Sequence, residues 1–281
     1  MGFQAVESAR KYYDDDIVDH VYSSIWGGET ICIGTFADAH DSIKTASSRT
    51  IDELAQLAGP LTRSSRVLDL GAGYGGSARY LAKTFGCQVT CLNLSPRQNA
   101  RNESLCRQED LHHLVNVAEG NFENVSQPDL FFDLIWSQDA LLHSGDRAKV
   151  LGEIDRLLVQ TNGVVVLTDI VQKSEVADPA LFDLYMQRLP VERLATIEWY
   201  ETHLKARGLQ KVKTLDKTEH LATHYGRVLQ EMQSHQEDYI THHKEPERAR
   251  DYVDRSMKPL ATASALARNG DLRWVWLIYR R

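Results

Sequence analysis

A glycine-rich segment with a carboxylate beside it is the first place in this chain where residue types and spacing could do chemistry. Residues 66–76 read RVLDLGAGYGG, so that Gly71, Gly73 and Gly76 follow a short apolar run. A strand that feeds such a turn and then a helix brings backbone N–H groups to a nucleotide-like ligand, and glycine permits the close approach. The spacing predicts a cofactor loop; a purely structural turn is the alternative.

Asp69 discriminates between two cofactors that such a loop could hold. It stands at the carboxyl end of the predicted strand, where a carboxylate would repel the pyrophosphate of NAD and would suit a cofactor with a positive centre. The next apolar run ends in Asn93, where an acid or amide grips ribose hydroxyls. This order favours S-adenosylmethionine over NAD. An NAD-dependent oxidoreductase and a non-catalytic S-adenosylmethionine-binding module are the competing hypotheses.

Asp139 and His143 are the candidates for acid–base chemistry. They stand four residues apart in SQDALLH, and on a helical turn they would share one face. A carboxylate and an imidazole placed together can hold and relay a proton, and histidine titrates near neutral pH. A helix cap at Asp139 and an ordinary polar role for His143 are the alternatives.

The elements that must position these residues alternate along the chain. From RVLDL to GVVVLTDI, continuous apolar runs alternate with helical segments, which is typical of a parallel sheet covered on both faces. The predicted fold is α/β and Rossmann-like, with a mostly parallel central sheet, helices on both faces and a helical insertion before the last strand, RWVWLIYRR. We expect one domain, comprising an N-terminal helical cap (1–60), a cofactor-binding core (61–170) and a substrate-side part (171–281).

Composition narrows the class of protein further. The chain has 281 residues, 42% of them hydrophobic, and a formal charge of −7, which disfavours a nucleic-acid-binding surface. No apolar run approaches the ~18 residues of a membrane span, and the N-terminus lacks a signal-peptide pattern. The four cysteines show no paired spacing and suit a reducing compartment. We expect a cytoplasmic monomer or homodimer with a small-molecule substrate, no nucleic-acid or membrane partner and no metal.

Beyond these patterns, VLDLGAGYGG closely resembles the first motif of class I S-adenosylmethionine-dependent methyltransferases. The resemblance continues through GNFENV, which matches the adenine-binding segment, and FFDLIWSQDALLHSGD, whose strand end lies beside the methyl group. YSSIWGGETICIGTF resembles the small-molecule amine methyltransferases, most closely the sarcosine/dimethylglycine N-methyltransferases. Two departures are Asn93, where Asp or Glu is common, and Cys32, where the related segment often has histidine.

The resemblance implies an N-methyltransferase that converts sarcosine and dimethylglycine to glycine betaine; a phosphoethanolamine-type or other lipid-precursor methyltransferase is the alternative. The residues expected to bind the cofactor are Trp26, Gly34, Asp69, Gly71, Gly73, Asn93, Gln98, Asn121, Phe122 and Ser137. The resemblance assigns Tyr22, Asp139 and His143 to catalysis, with Tyr22 paired to the histidine, and Gln138 to the substrate pocket.

A substrate of this kind carries a carboxylate, for which arginine is the natural clamp. Arg188 and Arg193 follow the fifth strand and are the candidates. Tyr185, Trp199 and Tyr200 are candidates for cation–π contact with a quaternary ammonium. Surface ion pairing and core packing are the respective alternatives.

Overall fold

The structure is a computed structural model that describes residues 2–26, 29–38, 40–187 and 193–281, with side chains described from residue 6 onward. The helices in chain order are α1 (Gly2–Tyr13), α2 (Asp16–Ile25), α3 (Ile43–Ala58), α4 (Gly76–Phe85), α5 (Pro96–Gln108), α6 (Arg147–Leu157), α7 (Pro179–Met186), α8 (Ile197–Ala206), α9 (Thr218–Thr241) and α10 (Pro246–Asn269). The strands are β1 (Arg66–Leu70), β2 (Gln88–Asn93), β3 (Val115–Glu119), β4 (Leu134–Gln138), β5 (Val164–Gln172), β6 (Gln210–Asp216) and β7 (Leu272–Arg280).

The strands form one sheet in the order β3-β2-β1-β4-β5-β7-β6. Strands β1 to β5 run parallel, and β7 runs antiparallel to both β5 and β6. The mostly parallel α/β prediction is confirmed. The chain turns back in strand order between β1 and β4, and a parallel sheet binds ligands in the crevice beyond the carboxyl ends of its strands at such a point.

Hydrophobic packing covers both faces of the sheet, and successive side chains of a strand point alternately into the two layers. Trp136 of β4 and Val166 of β5 pack into one hydrophobic layer, whereas Ile135 and Val165 pack into the other. All four side chains are fully buried. This explains why the strands read as continuous apolar runs.

The N-terminal segment forms two helices because Asp15 interrupts the first and caps the second. Its carboxylate accepts a hydrogen bond from the backbone N–H of Ile17 at 2.8 Å, as helix caps do. Ion pairs to the C-terminal part of the chain hold these two helices in place: Asp15 pairs with Arg248 of α10 at 2.8 Å, and Asp16 pairs with Lys244 in the connection between α9 and α10. Within the described ranges, no helix combines the length and the apolar character needed to cross a membrane.

Candidate active site

A small cavity of about 90 Å³ opens at the carboxyl ends of β1 and β4, where the strand order reverses. The glycine loop forms one wall, with Gly71 at φ +77° and Gly73 at φ +55°, a left-handed backbone that favours glycine. A Cβ added to Gly71 would stand 2.4 Å from the Cβ of Ala140. The loop therefore requires glycine at Gly71 for both its backbone angle and its packing.

Asp69 lies against this small cavity with an unsatisfied oxygen. Its side chain is 3% exposed, and its Oδ2 has no hydrogen-bond partner among the described residues. Burial raises the pKa of this carboxyl to about 7. A buried carboxylate oxygen without a hydrogen-bond partner favours a cation beside it, and S-adenosylmethionine, with its positive charges and no phosphate, fits that requirement.

The small cavity is also lined by residues expected to meet the ribose and adenine. The Asn93 amide at the end of β2 donates a hydrogen bond to Oε1 of Gln98 at 3.1 Å, and both residues line the small cavity. Gln98 reaches it from the first turn of α5, which Ser95 caps. Phe122, which is 8% exposed, adds a buried ring to the lining of this cavity.

A larger cavity of about 430 Å³ adjoins the small one. The two cavities share Ala9, Tyr13, Ile31, Asp139 and His143 as lining residues. The aromatic side chains that line the larger cavity are Tyr12, Tyr13, Tyr22, Trp26, Tyr185, Tyr225, Tyr252 and the two histidines His143 and His224. Such a wall can stabilise a methylated ammonium through the faces of its rings.

His143 meets a tyrosine at the junction of the two cavities, and that tyrosine is Tyr13. The Tyr13 hydroxyl lies 2.9 Å from Nε2 of His143, and the rings meet edge to face. Tyr22, which the resemblance pairs with the histidine, stacks on Trp26 at 4.7 Å, and its hydroxyl lies 3.3 Å from that of Tyr12. The sequence around Tyr13 carries no motif that distinguishes it from the adjacent Tyr12, so sequence reasoning did not identify it.

Asp139 adopts a different backbone conformation from the expected helical turn. Its φ is +51°, and the 3-10 turn Leu141–His143 begins only afterwards, so Asp139 and His143 do not share a helix face. The carboxylate accepts hydrogen bonds from Ile33 N at 2.8 Å, Thr168 Oγ1 at 2.8 Å and Trp274 Nε1 at 2.7 Å. Burial raises its pKa above the ordinary value. Asp139 thus ties the N-terminal loop to the sheet.

Two other polar residues, His224 and Gln138, line the cavities. His224 lines the larger cavity, its Nδ1 accepts the Gly34 N–H at 3.3 Å, and burial lowers its pKa to about 3. It is therefore neutral at physiological pH. Gln138, expected in the substrate pocket, lines the small cavity instead, where its Oε1 accepts from Ser77 Oγ at 2.5 Å and Trp136 Nε1 at 3.0 Å.

Several expected cofactor residues lie elsewhere. Trp26 lines the larger cavity. Gly34 packs against α3, where a Cβ would stand 2.5 Å from that of Ala46. Ser137 is fully buried and donates to the Leu70 carbonyl at 2.7 Å, and the Asn121 side chain accepts the Glu123 N–H at 2.9 Å. The side chains of Ser137 and Asn121 are thus both engaged in hydrogen bonds within the protein.

Of the residues expected to bind the substrate, some line the larger cavity and others lie elsewhere. Arg193 is exposed and lines neither cavity, and Arg188 lies outside the described residues. Tyr185 lines the larger cavity, whereas Tyr200 is fully buried and donates to Oδ2 of Asp169 at 2.6 Å. Trp199 stacks on a histidine of its own helix at 4.0 Å.

The sheet order and the glycine loop with its buried carboxylate define a class I S-adenosylmethionine-dependent methyltransferase, and a methyltransferase-domain model matches residues 68–167. The chain is 42% identical over 234 residues to the glycine/sarcosine/dimethylglycine N-methyltransferase of Actinopolyspora halophila, covering 83% of this chain but only 41% of that protein. It is 41% identical over 229 residues to the sarcosine/dimethylglycine N-methyltransferase of Halorhodospira halochloris, covering 82% and 81%.

A solved structure from Galdieria sulphuraria, provisionally named a sarcosine dimethylglycine methyltransferase, superposes with a TM-score of 0.87 at 33% identity and covers 96% of this chain and 98% of that one. The chain belongs to the family of S-adenosylmethionine-dependent N-methyltransferases that contains the sarcosine/dimethylglycine N-methyltransferases.

Proposed function

We propose that this enzyme methylates sarcosine and dimethylglycine to give glycine betaine. The observation that carries the proposal is the junction of an aromatic cavity with the cofactor crevice at Tyr13, Asp139 and His143. The names of two relatives at 42% and 41% identity carry the same substrates. A small methylated amine fits such a cavity because its cationic product can lie against aromatic faces.

Asp69, Gly71, Gly73, Asn93 and Gln98 would hold the cofactor. S-Adenosylmethionine, when bound, would supply a methyl group on a positively charged sulfur; a neutral amine would attack this methyl in line, and S-adenosylhomocysteine would leave. Asp69 provides the negative charge for a cationic group of the cofactor, and Asn93 provides an amide for hydroxyl groups. These roles follow from the unsatisfied Oδ2 of Asp69 and from the position of Asn93 in the lining of the same cavity.

The Tyr13–His143 pair would receive the proton of the incoming ammonium. This hydrogen-bonded pair would take the proton from the amine nitrogen, which frees the lone pair that accepts the methyl group. Dimethylglycine becomes quaternary and has no second proton to lose, whereas methylated sarcosine remains a tertiary ammonium. Aromatic faces, each worth about 0.5–2 kcal/mol to a cation, stabilise the charge that moves to nitrogen.

Asp139 would position the cap and not exchange protons. Its carboxylate already accepts three hydrogen bonds, one of them from the backbone of Ile33, which lines the larger cavity. Holding Ile33 against the sheet closes the N-terminal loop over the site and excludes water from it. Tyr22 and Trp26 would extend the same closed wall.

A methyl-transfer assay with labelled S-adenosylmethionine tests the proposal against glycine, sarcosine, dimethylglycine and phosphoethanolamine in parallel. Label in glycine betaine from dimethylglycine is the expected result. Label with phosphoethanolamine alone would contradict the substrate assignment and favour a lipid precursor. His143→Asn is the control, because it should lower label transfer to any amine by about 10²- to 10⁴-fold while cofactor binding remains.

We also propose that the chain works as one methyltransferase domain, as a monomer or homodimer in the cytoplasm, without nucleic-acid or membrane partners. The C-terminal β7 pairs with both β5 and β6, so the last residues complete the sheet that carries the site. Cys32, Cys87, Cys91 and Cys106 are buried and free, which suits a reducing compartment. Light scattering of the purified enzyme measures the oligomeric state.

A further inference from the structure

The larger cavity carries a single strong cation on its described walls. Arg255 of α10 is the only Lys or Arg among its lining residues in the described part of the chain. It belongs to one face of the helix, since the α10 residues that line the cavity are Tyr252, Arg255, Ser256, Pro259 and Leu260. Arg255 and the aromatic residues therefore line the same cavity.

The pairing of Arg255 in the structure is local and weak. The guanidinium pairs with Asp251 one turn earlier on α10, and the two side chains are 74% and 60% exposed. An exposed ion pair at this spacing contributes little, about 0.3–0.5 kcal/mol in helices. The guanidinium can therefore exchange Asp251 for another carboxylate at little cost.

We infer that Arg255 binds the carboxylate of the amine substrate and that Asp251 competes with the substrate for it. This inference rests on the proposed function and deepens it by assigning the residue that orients the substrate: the nitrogen of the amino acid faces the tyrosines, and its carboxylate faces α10. A planar guanidinium holds a carboxylate through two parallel hydrogen bonds, which gives orientation as well as affinity. Arg193, expected for this role, lines neither cavity.

The test compares ligands that differ only in the carboxylate. Arg255→Met raises the KM for dimethylglycine by about 10-fold or more, the effect of losing a charge-assisted hydrogen bond, and changes the KM for N,N-dimethylethanolamine by less than about 3-fold. Arg255→Lys falls between Arg255→Met and wild type. Asp251→Asn lowers the KM for dimethylglycine by about 1.5- to 5-fold because it frees the guanidinium.

A matched control and the structural comparisons accompany these variants. Arg250→Met removes another arginine of α10, which pairs with Glu237 and does not line the cavity, and leaves both KM values unchanged. Unchanged cofactor affinity and thermal unfolding show that Arg255→Met is folded. An equal loss for both substrates, no loss, or a carboxylate-dependent loss with Arg188→Met alone would each overturn the assignment of Arg255.

Binding without turnover separates this inference from the proposed function. In calorimetry with S-adenosylhomocysteine present, wild type binds glycine betaine, and Arg255→Met weakens that binding by about 10-fold while choline binding stays within about 3-fold. If betaine binds in this Arg255-dependent way but dimethylglycine is not methylated, the proposed function fails and the carboxylate clamp stands. If wild type does not bind betaine, or binds choline more tightly, the clamp is wrong.

Discussion

Replacement of Asp69 by asparagine is expected to stabilise the ligand-free protein while weakening cofactor binding. The carboxyl is 3% exposed with an unpaired Oδ2, and its pKa rises from an ordinary 3.8 to about 7. At about 1.36 kcal/mol for each pKa unit, this difference corresponds to an upper bound of about 4 kcal/mol for ionising the carboxyl in the folded state. Asparagine has no charge to bury and is close to the same size.

The sign of the pH dependence follows from the raised pKa. Because the folded-state pKa exceeds the unfolded value, the contribution of Asp69 to stability is fully present below pH 3.8 and is lost as the pH rises through about 7. Urea unfolding at pH 8 should therefore give a higher free energy of unfolding for Asp69→Asn than for wild type, by as much as about 4 kcal/mol, and near pH 4 the difference should vanish.

Cofactor affinity should change in the opposite direction. At pH 8 the variant loses a charge-assisted interaction of about 1.5–3 kcal/mol, so the Kd for S-adenosylmethionine should rise about 10- to 100-fold. The wild-type Kd should rise as the pH falls from 7 to 5, by up to about tenfold per pH unit, because binding selects the ionised carboxylate. Calorimetry measures both values.

Asp169→Asn is the matched control for this pH dependence. Burial also raises the pKa of Asp169 to about 7, but this carboxyl lines neither cavity and accepts hydrogen bonds from Tyr200 and Leu142. Its variant should retain the pH dependence of cofactor binding. An Asp69→Asn enzyme that binds S-adenosylmethionine as tightly as wild type, or a wild-type Kd that is constant from pH 5 to 8, would refute the role of Asp69 as the partner of a cation.

Three further changes have defined outcomes. Tyr13→Phe and His143→Asn should each lower kcat, measured by labelled methyl transfer, by about 10²- to 10⁴-fold with little change in the Kd of the cofactor. An equally large rise in the cofactor Kd would argue for a structural role instead. Gly71→Ala should lower the free energy of unfolding in urea by about 2–5 kcal/mol, because left-handed backbone strain adds to a Cβ contact at 2.4 Å. Gly208 is the control: its φ is also positive, at +76°, but a Cβ there would meet nothing within 4 Å, so Gly208→Ala should lower the free energy of unfolding by only about 1–2 kcal/mol. Asp139→Asn should lower the free energy of unfolding by about 1–3 kcal/mol and also lower kcat, because an amide N–H₂ group would face a hydrogen-bond donor. Asparagine tolerates the left-handed backbone of this position, so the backbone itself should not be strained. A thermal melt like that of wild type would contradict this assignment.

Local patterns carried the prediction of the sheet and the cofactor loop. The apolar runs of β1 and β4 are continuous because both faces of these strands are covered, so their type was readable without tertiary information. Gly71 and Asp69 were identified because the turn needs glycine and because a carboxylate at a strand end excludes phosphate. The i,i+4 interpretation of Asp139 and His143 failed because a left-handed residue precedes a 3-10 turn, a geometry that spacing does not encode.

By itself, the sequence determined the fold class, the cofactor and the strand ends where chemistry lies, since each depends on residues close together along the chain. Only the tertiary structure decided which side chains meet. Tyr13 reaches His143 across 130 residues, and Asp139 joins Ile33 to Trp274 across 106 and 135 residues. Arg255 lines the cavity because α10 packs beside the N-terminal cap. Such contacts depend on how helices and strands dock, and no local spacing records that docking.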